Sequence, residues 1–276
     1  MVTQPDRPAG RGQRLQATPV KLAANALGIP TIEPEKLRDT VPLLGKEHAD
    51  LFAVASYGKI VPQNVLDLAP RGALNVHPSL LPLYRGATPL QSQLRDGVTE
   101  GGVSIILMDA GMDTGDIVLQ ARSEIGPAET YGELHDRFAL LGAELLSEAC
   151  ALATGEKLVR KPQAGLAPAI DIARTATRPL GKEDLLIDWR WHAKRIVDHV
   201  RSLSPAPAAR ARLDGEAEMV KILAARAVSG HVPGELVVPC GGGEYVAIDR
   251  LVPPNRKAVS GHEYVAAARL AIGRIR

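Results

Sequence analysis

The chain has 276 residues, of which 45% are hydrophobic and 23% charged, enough apolar material for one large domain or two ordinary ones and too much for a disordered chain. Aromatic residues are only 3%, which argues against a base-stacking platform; no run of about 18 apolar residues suggests a membrane span, and the polar, turn-rich opening MVTQPDRPAG is no secretory signal. The net charge of +2 conceals an asymmetry, because residues 1–150 hold 13 Lys and Arg against 18 Asp and Glu (−5) and residues 151–276 hold 20 against 13 (+7), so the second half is the one expected to meet a polyanion.

In chain order, Thr18, Pro19 and Gly28 read as the N-cap, first-turn proline and terminating glycine of a short helix. Leu51–Ser56, Ala73–His77 and Gly102–Met108 are brief apolar runs bounded by turn residues, as buried strands of a parallel sheet are. A helix is predicted to begin near Pro62 and another to cover Thr88–Asp96, before Gly97. Thr130-Tyr-Gly-Glu133 is a capping box. It opens a long amphipathic helix with Leu134, Phe138, Leu141, Leu145, Ala149 and Leu152 on one stripe. Strands alternating with helices predict an α/β domain over residues 1–160, with a mostly parallel sheet and right-handed crossovers.

Residues 161–181 hold few periodic apolar positions and read as a linker. Within 182–276, Trp191–Leu203 is helical, and Met219–Val228, Gly234–Val238 and Glu244–Ile248 are strand-like, separated by turns such as Cys240-Gly-Gly-Gly243. Short strands with Gly and Pro turns predict a small β-barrel, OB-like in type. Ser260-Gly-His-Glu263 is a second capping box ahead of a last helix. Cys150 and Cys240 lie far apart with no ligand-spaced neighbours, so no metal site is predicted, and unpaired thiols point to a reducing, cytoplasmic setting. A monomer is expected.

The stretch from Asn75 to Asp116 carries the chemistry. Asn75 and His77 are two apart on one strand and so share a face, at the carboxyl end, where open α/β sheets bind ligands. Then comes Pro78-Ser79-Leu80-Leu81-Pro82-Leu83-Tyr84-Arg85-Gly86, a loop whose apolar residues can line a pocket for a flat heterocycle. The strand GVSIILM leads into Asp109-Ala-Gly-Met-Asp113-Thr-Gly-Asp116, placing carboxylates near the same sheet edge. Asn, His and Asp together suit acyl transfer to an amine: a donor for the developing oxyanion, a proton acceptor, and fixed geometry. Asp109 and Asp116 compete with Asp113, and spacing does not choose among them. There is no G-x-S-x-G nucleophile elbow and no G-x-G-x-x-G after a strand.

The blocks NVHPSLLPLYRGATPLQSQL and GVSIILMDAGMDTGDIV resemble the signature of the methionyl-tRNA formyltransferases, a 10-formyltetrahydrofolate-dependent family. The resemblance implies a Rossmann-like formyltransferase domain, with Asn75, His77 and Asp113 matching the catalytic residues. It also implies that Ser79, Leu80, Leu81 and Pro82 match the folate-contacting loop. The opening TQPDRPAGRGQRLQATPVK is similar to the family's basic insertion loop, so Arg11 and Arg14 are implied to contact tRNA. IDW at Ile187–Trp189, VKIL at Val220–Leu223 and PGEL at Pro233–Leu236 resemble its C-terminal barrel. Formyl transfer from 10-formyltetrahydrofolate to initiator methionyl-tRNA, for translation initiation, is what the resemblance implies. The alternatives are a sugar-nucleotide formyltransferase sharing the catalytic core, or an inactive short form that only binds tRNA. Family members begin with a strand and helix that are missing here, so a βα unit of roughly 30 residues is expected to be absent, leaving normally buried sheet edges exposed. SPAPAARAR also departs from the family's usual P-x-P-G-A turn.

Overall fold

The structure is a computed structural model that describes residues 1–9, 14–155, 158–164, 166, 176–213 and 218–273. It divides into two compact units. The first comprises Met1–His77, Ser104–Leu119 and Ala143–Gly165; the second comprises Pro78–Val103, Gln120–Gly142 and Leu166–Arg276.

The amino-terminal hairpin, β1 (Arg7–Ala9) against β2 (Arg14–Gln16), was not foreseen. Helix α1 (Pro19–Ala26) starts as predicted: the Thr18 hydroxyl accepts from the Lys21 amide at 3.1 Å, satisfying one of the orphan donors of the first turn. It buries only Ala24. A single turn, α2 (Val41–Leu44), precedes β3 (Phe52–Ala55), and α3 (Gln63–Leu66), starting after Pro62 as predicted, leads into β4 (Ala73–His77).

Beyond β4, α4 (Pro89–Arg95) leads to β5 (Glu100–Leu107) and β6 (Ile117–Glu124), giving a sheet of order β3-β4-β5-β6. The parallel pairing expected of this sheet is met by β3 and β4, with Phe52 opposite Ala73 and Ala55 opposite Val76. By contrast β4 and β5 are antiparallel, with Leu74 opposite Leu107 and His77 opposite Ser104. Apolar content and length are the same for either direction, so the sequence pattern could not separate them. In this unit Leu74, Ile105, Ala149 and Ala153 form a core cluster, with Val76, Leu107 and Leu145 packed on it.

Helix α5 (Tyr131–Thr154) is the predicted long helix, and its capping box is made in full. The Thr130 amide donates to Glu133 Oε2 at 2.9 Å and the Glu133 amide to the Thr130 hydroxyl at 3.4 Å. Leu134, Phe138 and Ala149 of the stripe are buried, but Leu152 is 46% exposed and Ala153 takes its place. Four residues on from Ala149 matches the helical period better than three at that point.

In the second unit, α6 (Ala193–Leu203) packs under an antiparallel sheet of β7 (Ala209–Ala211), β8 (Val220–Val228), β9 (Val237–Pro239), β10 (Tyr245–Val252) and β11 (Val259–Ser260). β9 and β11 pair with successive stretches of β10, and two register shifts near Ile248–Leu251 bend that strand. Ile196, Val200 and Leu203 meet Val220, Ile222, Val246 and Leu251 in one buried core. The last helix, α7 (Gly261–Gly273), opens on the second capping box: the Ser260 amide donates to Glu263 Oε2 at 2.7 Å. Within the segment expected to be a linker, Lys161 bridges to Ile117 and Thr177 to Gly86. No helix among the described residues is long and apolar enough to cross a membrane.

Candidate active site

Strand β4 fixes the first two residues of the site. Ala73 and Leu74 anchor it in the core, and the two-residue period then gives Asn75 and His77 a common face. Asn75 is half-buried and His77 is 4% exposed. The acidic loop reaches the expected edge by an indirect route. Because β5 runs antiparallel to β4, its paired stretch passes from Ser104 beside His77 to Leu107 beside Leu74, with the Met108 amide donating to the Ala73 carbonyl at 2.8 Å. The Asp109–Asp116 loop therefore departs from the amino end of β4, not its carboxyl end. It folds back far enough to set Asp113 Oδ2 3.5 Å from His77 Nδ1.

Three features hold that fold-back. Asp109 Oδ1 accepts from the Gly111 amide at 3.0 Å and the Thr114 hydroxyl at 2.7 Å, an Asx-type turn. The Gln163 side-chain amide, 3% exposed, donates to the carbonyls of Asp113 at 2.9 Å and Gly115 at 2.7 Å. At Gly115 a Cβ would lie 1.9 Å from the Leu107 carbonyl oxygen, so no side chain fits where the loop re-enters the sheet. Asp113 sits at φ 55°, in the left-handed region, which Asp tolerates better than most residues. Of the three competing carboxylates, Asp113 is thus the one brought to the imidazole, while Asp109 is used to tie the loop.

Gln163 had no signal in the sequence, since it falls in a stretch read as a linker. Ser104, opposite His77 and fully buried, was likewise read only as part of a strand. A buried polar residue inside an apolar strand pattern is the one clue that could have marked it.

The segment after His77 is held mainly through its backbone. The Ser79 hydroxyl donates to the Leu83 carbonyl at 2.7 Å, the Gln120 amide to the Leu81 carbonyl at 3.1 Å, and the Gln93 amide to the Pro78 carbonyl at 2.9 Å. Ser79, Leu81 and Pro82 are buried and Leu80 is half-buried. Tyr84 closes the turn at φ 59°, its hydroxyl donating to Asp96 at 3.0 Å; burial, then the Asp96 charge, pushes that phenol up. Gly86, at φ 110°, lies so close to Thr177 that a Cβ would come within 2.2 Å of its carbonyl oxygen. Arg14, on β2, is exposed, and Arg11 lies outside the described residues.

A strand-borne Asn and an imidazole with a carboxylate on its Nδ1 side can polarise a carbonyl oxygen and move a proton. Comparison with known proteins agrees with that chemistry. Residues 1–150 match the formyl transferase family and residues 179–269 the formyl transferase C-terminal domain. A methionyl-tRNA formyltransferase of Syntrophus aciditrophicus is 41% identical over 288 residues, covering 100% of this chain and 89% of that protein. Among solved structures, HypX from Aquifex aeolicus in complex with tetrahydrofolic acid has a TM-score of 0.61 at 16% identity, over 86% of this chain and 42% of its own. WlaRD, a sugar 3N-formyl transferase with dTDP and 5-N-formyl-THF, has a TM-score of 0.61 at 14% identity, over 88% of this chain and 83% of its own. At such identities the structures share the fold alone, but the sequence matches span the chain nearly end to end, and the chain belongs to the formyl transferase family.

Proposed function

We propose that this chain transfers the formyl group of 10-formyltetrahydrofolate to the α-amino group of initiator methionyl-tRNA. The observation that carries the reading is the Asp113–His77 pair beside Asn75, in a chain 41% identical over its whole length to a methionyl-tRNA formyltransferase.

The folate donor supplies an activated formyl group when bound, and the Ser79–Pro82 segment is assigned to hold it. Its backbone ties and buried Leu81 and Pro82 give a fixed, partly apolar support of the kind a flat heterocycle needs. As the amine nitrogen bonds to the formyl carbon and the bond from that carbon to the donor nitrogen breaks, negative charge gathers on the formyl oxygen. The Asn75 amide and the His77 imidazole donate hydrogen bonds to it. Asp113 fixes the ring's orientation and stabilises it when charged. The proton lost by the amine leaves by way of these two groups and ends on the departing nitrogen, so charge and atoms balance. No Ser or Cys nucleophile is required. Arg11, Arg14 and the basic second half are assigned to the tRNA, through phosphate contacts that position rather than read it.

The test is to incubate the chain with 10-formyltetrahydrofolate and charged initiator tRNA and follow formylation of the methionine amine. His77→Ala should lower turnover at least about a hundredfold; a near-wild-type rate removes His77 from the mechanism. Transfer to an amino-sugar nucleotide with none to tRNA would overturn the acceptor assignment.

A further inference from the structure

The second unit contains a cleft of about 660 Å³ that the formyl-transfer chemistry does not use. Arg95, Asp184, Trp189, Trp191, Arg195 and His199 are among the residues that line it. Arg95 is the last residue of α4, and its Nε and Nη2 are buried with no hydrogen-bond partner among the described residues. His199, on α6, is 2% exposed; neither ring nitrogen has a hydrogen bond of full geometry among the described residues, although the Leu185 carbonyl acts on the ring as a backbone acceptor. Buried donors left unsatisfied on two converging elements are costly and uncommon in native proteins, and call for a ligand that completes them.

Charge and shape narrow that ligand's class. Arg195, one helical turn before His199, lies with its guanidinium 4.3 Å above the Trp191 ring, and the same ring meets His199 edge-on at 5.2 Å. Three carboxylates also line the cleft, Glu183, Asp184 and Asp188, and the last two are held by other groups. Asp184 is held by Arg178 at 2.6 and 2.9 Å and by the Gly181 amide at 2.7 Å, and Asp188 is held by Arg190. Neither Arg95 nor Arg195 has a carboxylate ion pair among the described residues. Burial, followed by the nearby Arg95 charge, lowers His199 to about 4, so its ring is neutral and carries one N–H donor. Two guanidinium groups and an imidazole N–H form a donor set suited to an anion with several oxygens.

We propose that this cleft is a phosphate site, in which the oxygens of one phosphate ester accept from Arg95 and His199 while Arg195 adds charge at the rim. We assign the phosphate to the backbone of the tRNA acceptor, an assignment that rests on the function proposed above. The +7 charge of residues 151–276 favours that source.

Arg95→Met keeps the aliphatic stem and removes the unpaired donors, so it should fold at least as well as the parent. Two measurements on the full chain decide the matter: tRNA affinity between about 50 and 200 mM salt, and the His199 titration followed by NMR with added inorganic phosphate. We expect Arg95→Met to bind tRNA about five- to tenfold more weakly, with a log–log salt slope shallower by about 0.9, as for one lost phosphate contact. Phosphate should raise the His199 pKa in the parent and not in the variant. If phosphate acts on His199 but the tRNA slope is unchanged, the phosphate chemistry stands and the assignment to tRNA is overturned in favour of a free phosphate ester. If neither responds, the site is overturned. A parent chain that binds no tRNA at all would instead sink the acceptor proposed above, and the phosphate titration would still decide the cleft.

Discussion

The loops around His77 and the sheet over α6 are held by different kinds of force. The Asp109–Asp116 loop relies on a few polar ties, from Asp109, Thr114 and Gln163, and most of its residues are exposed. Around α6 the chain instead buries apolar side chains from a helix and three strands, with Ile196, Leu203, Val220, Ile222, Val246 and Leu251 all fully buried. Hydrogen bonds place atoms within tenths of an ångström but add little net stability; apolar burial is non-directional and large. Placement and stability are therefore carried by separate residues, and substitutions should separate them.

The sharpest break is Leu251→Ala. Truncating a fully buried side chain in that core should cost about 2–5 kcal/mol of stability, with turnover per folded molecule unchanged below the melt. Thermal melting set beside single-turnover rates checks this; a proportional loss of rate would show that placement depends on that core.

The next effect is a pH dependence of stability in the same region. Burial, first, and then the Arg95 charge depress His199 from 6.5 to about 4. Between those values the unfolded chain binds the proton more readily than the native one. The stabilisation is thus present above about pH 6.5 and drains away as pH falls towards 4, by on the order of 3 kcal/mol. Denaturant melts in phosphate-free buffer should show that slope, and His199→Leu should flatten it; an unchanged slope would move the titration to another group.

The smallest expected effect sharpens the comparison from the other side. Gln163→Leu removes two donors to the Asp113 loop and should lower kcat about tenfold by loosening the carboxylate. The cost in stability should be only about 1–2 kcal/mol. A kcat that holds steady would mean the Asp109 turn alone sets the loop.

Much of this was legible in the sequence wherever a rule acts over a few residues. The Thr18 cap, both capping boxes and the boundaries of α4 and β4 follow from local chemistry, and two-residue alternation was enough to put Asn75 and His77 on one face. What escaped depends on contacts distant in sequence. Whether β5 runs parallel or antiparallel to β4 leaves no local mark, so the sequence placed a carboxylate near His77 without showing the route by which the loop gets there. Gln163 acts across 50 residues, and nothing near it announces a partner. Strands β1, β2, β7 and β11, two or three residues long, are too short for any period to register. The cleft beside His199 was invisible for the same reason. Arg95 and His199 lie more than a hundred residues apart, and each reads singly as an ordinary polar residue of a helix.

The left-handed backbone at Asp113 has a bearing on how the sequence can drift. At φ 55° the main chain admits Gly, Asn and Asp with least strain and disfavours β-branched and bulky residues. Of the three admitted types only Asp carries a charge. A mutation away from it leads either to a neighbour that keeps the turn but loses the carboxylate, or to one that also disturbs the path of the chain. Glu, the nearest relative in charge, is excluded from easy exchange by the backbone rather than by its chemistry. Shape and charge at this position thus filter the alphabet independently, and their intersection is a single residue.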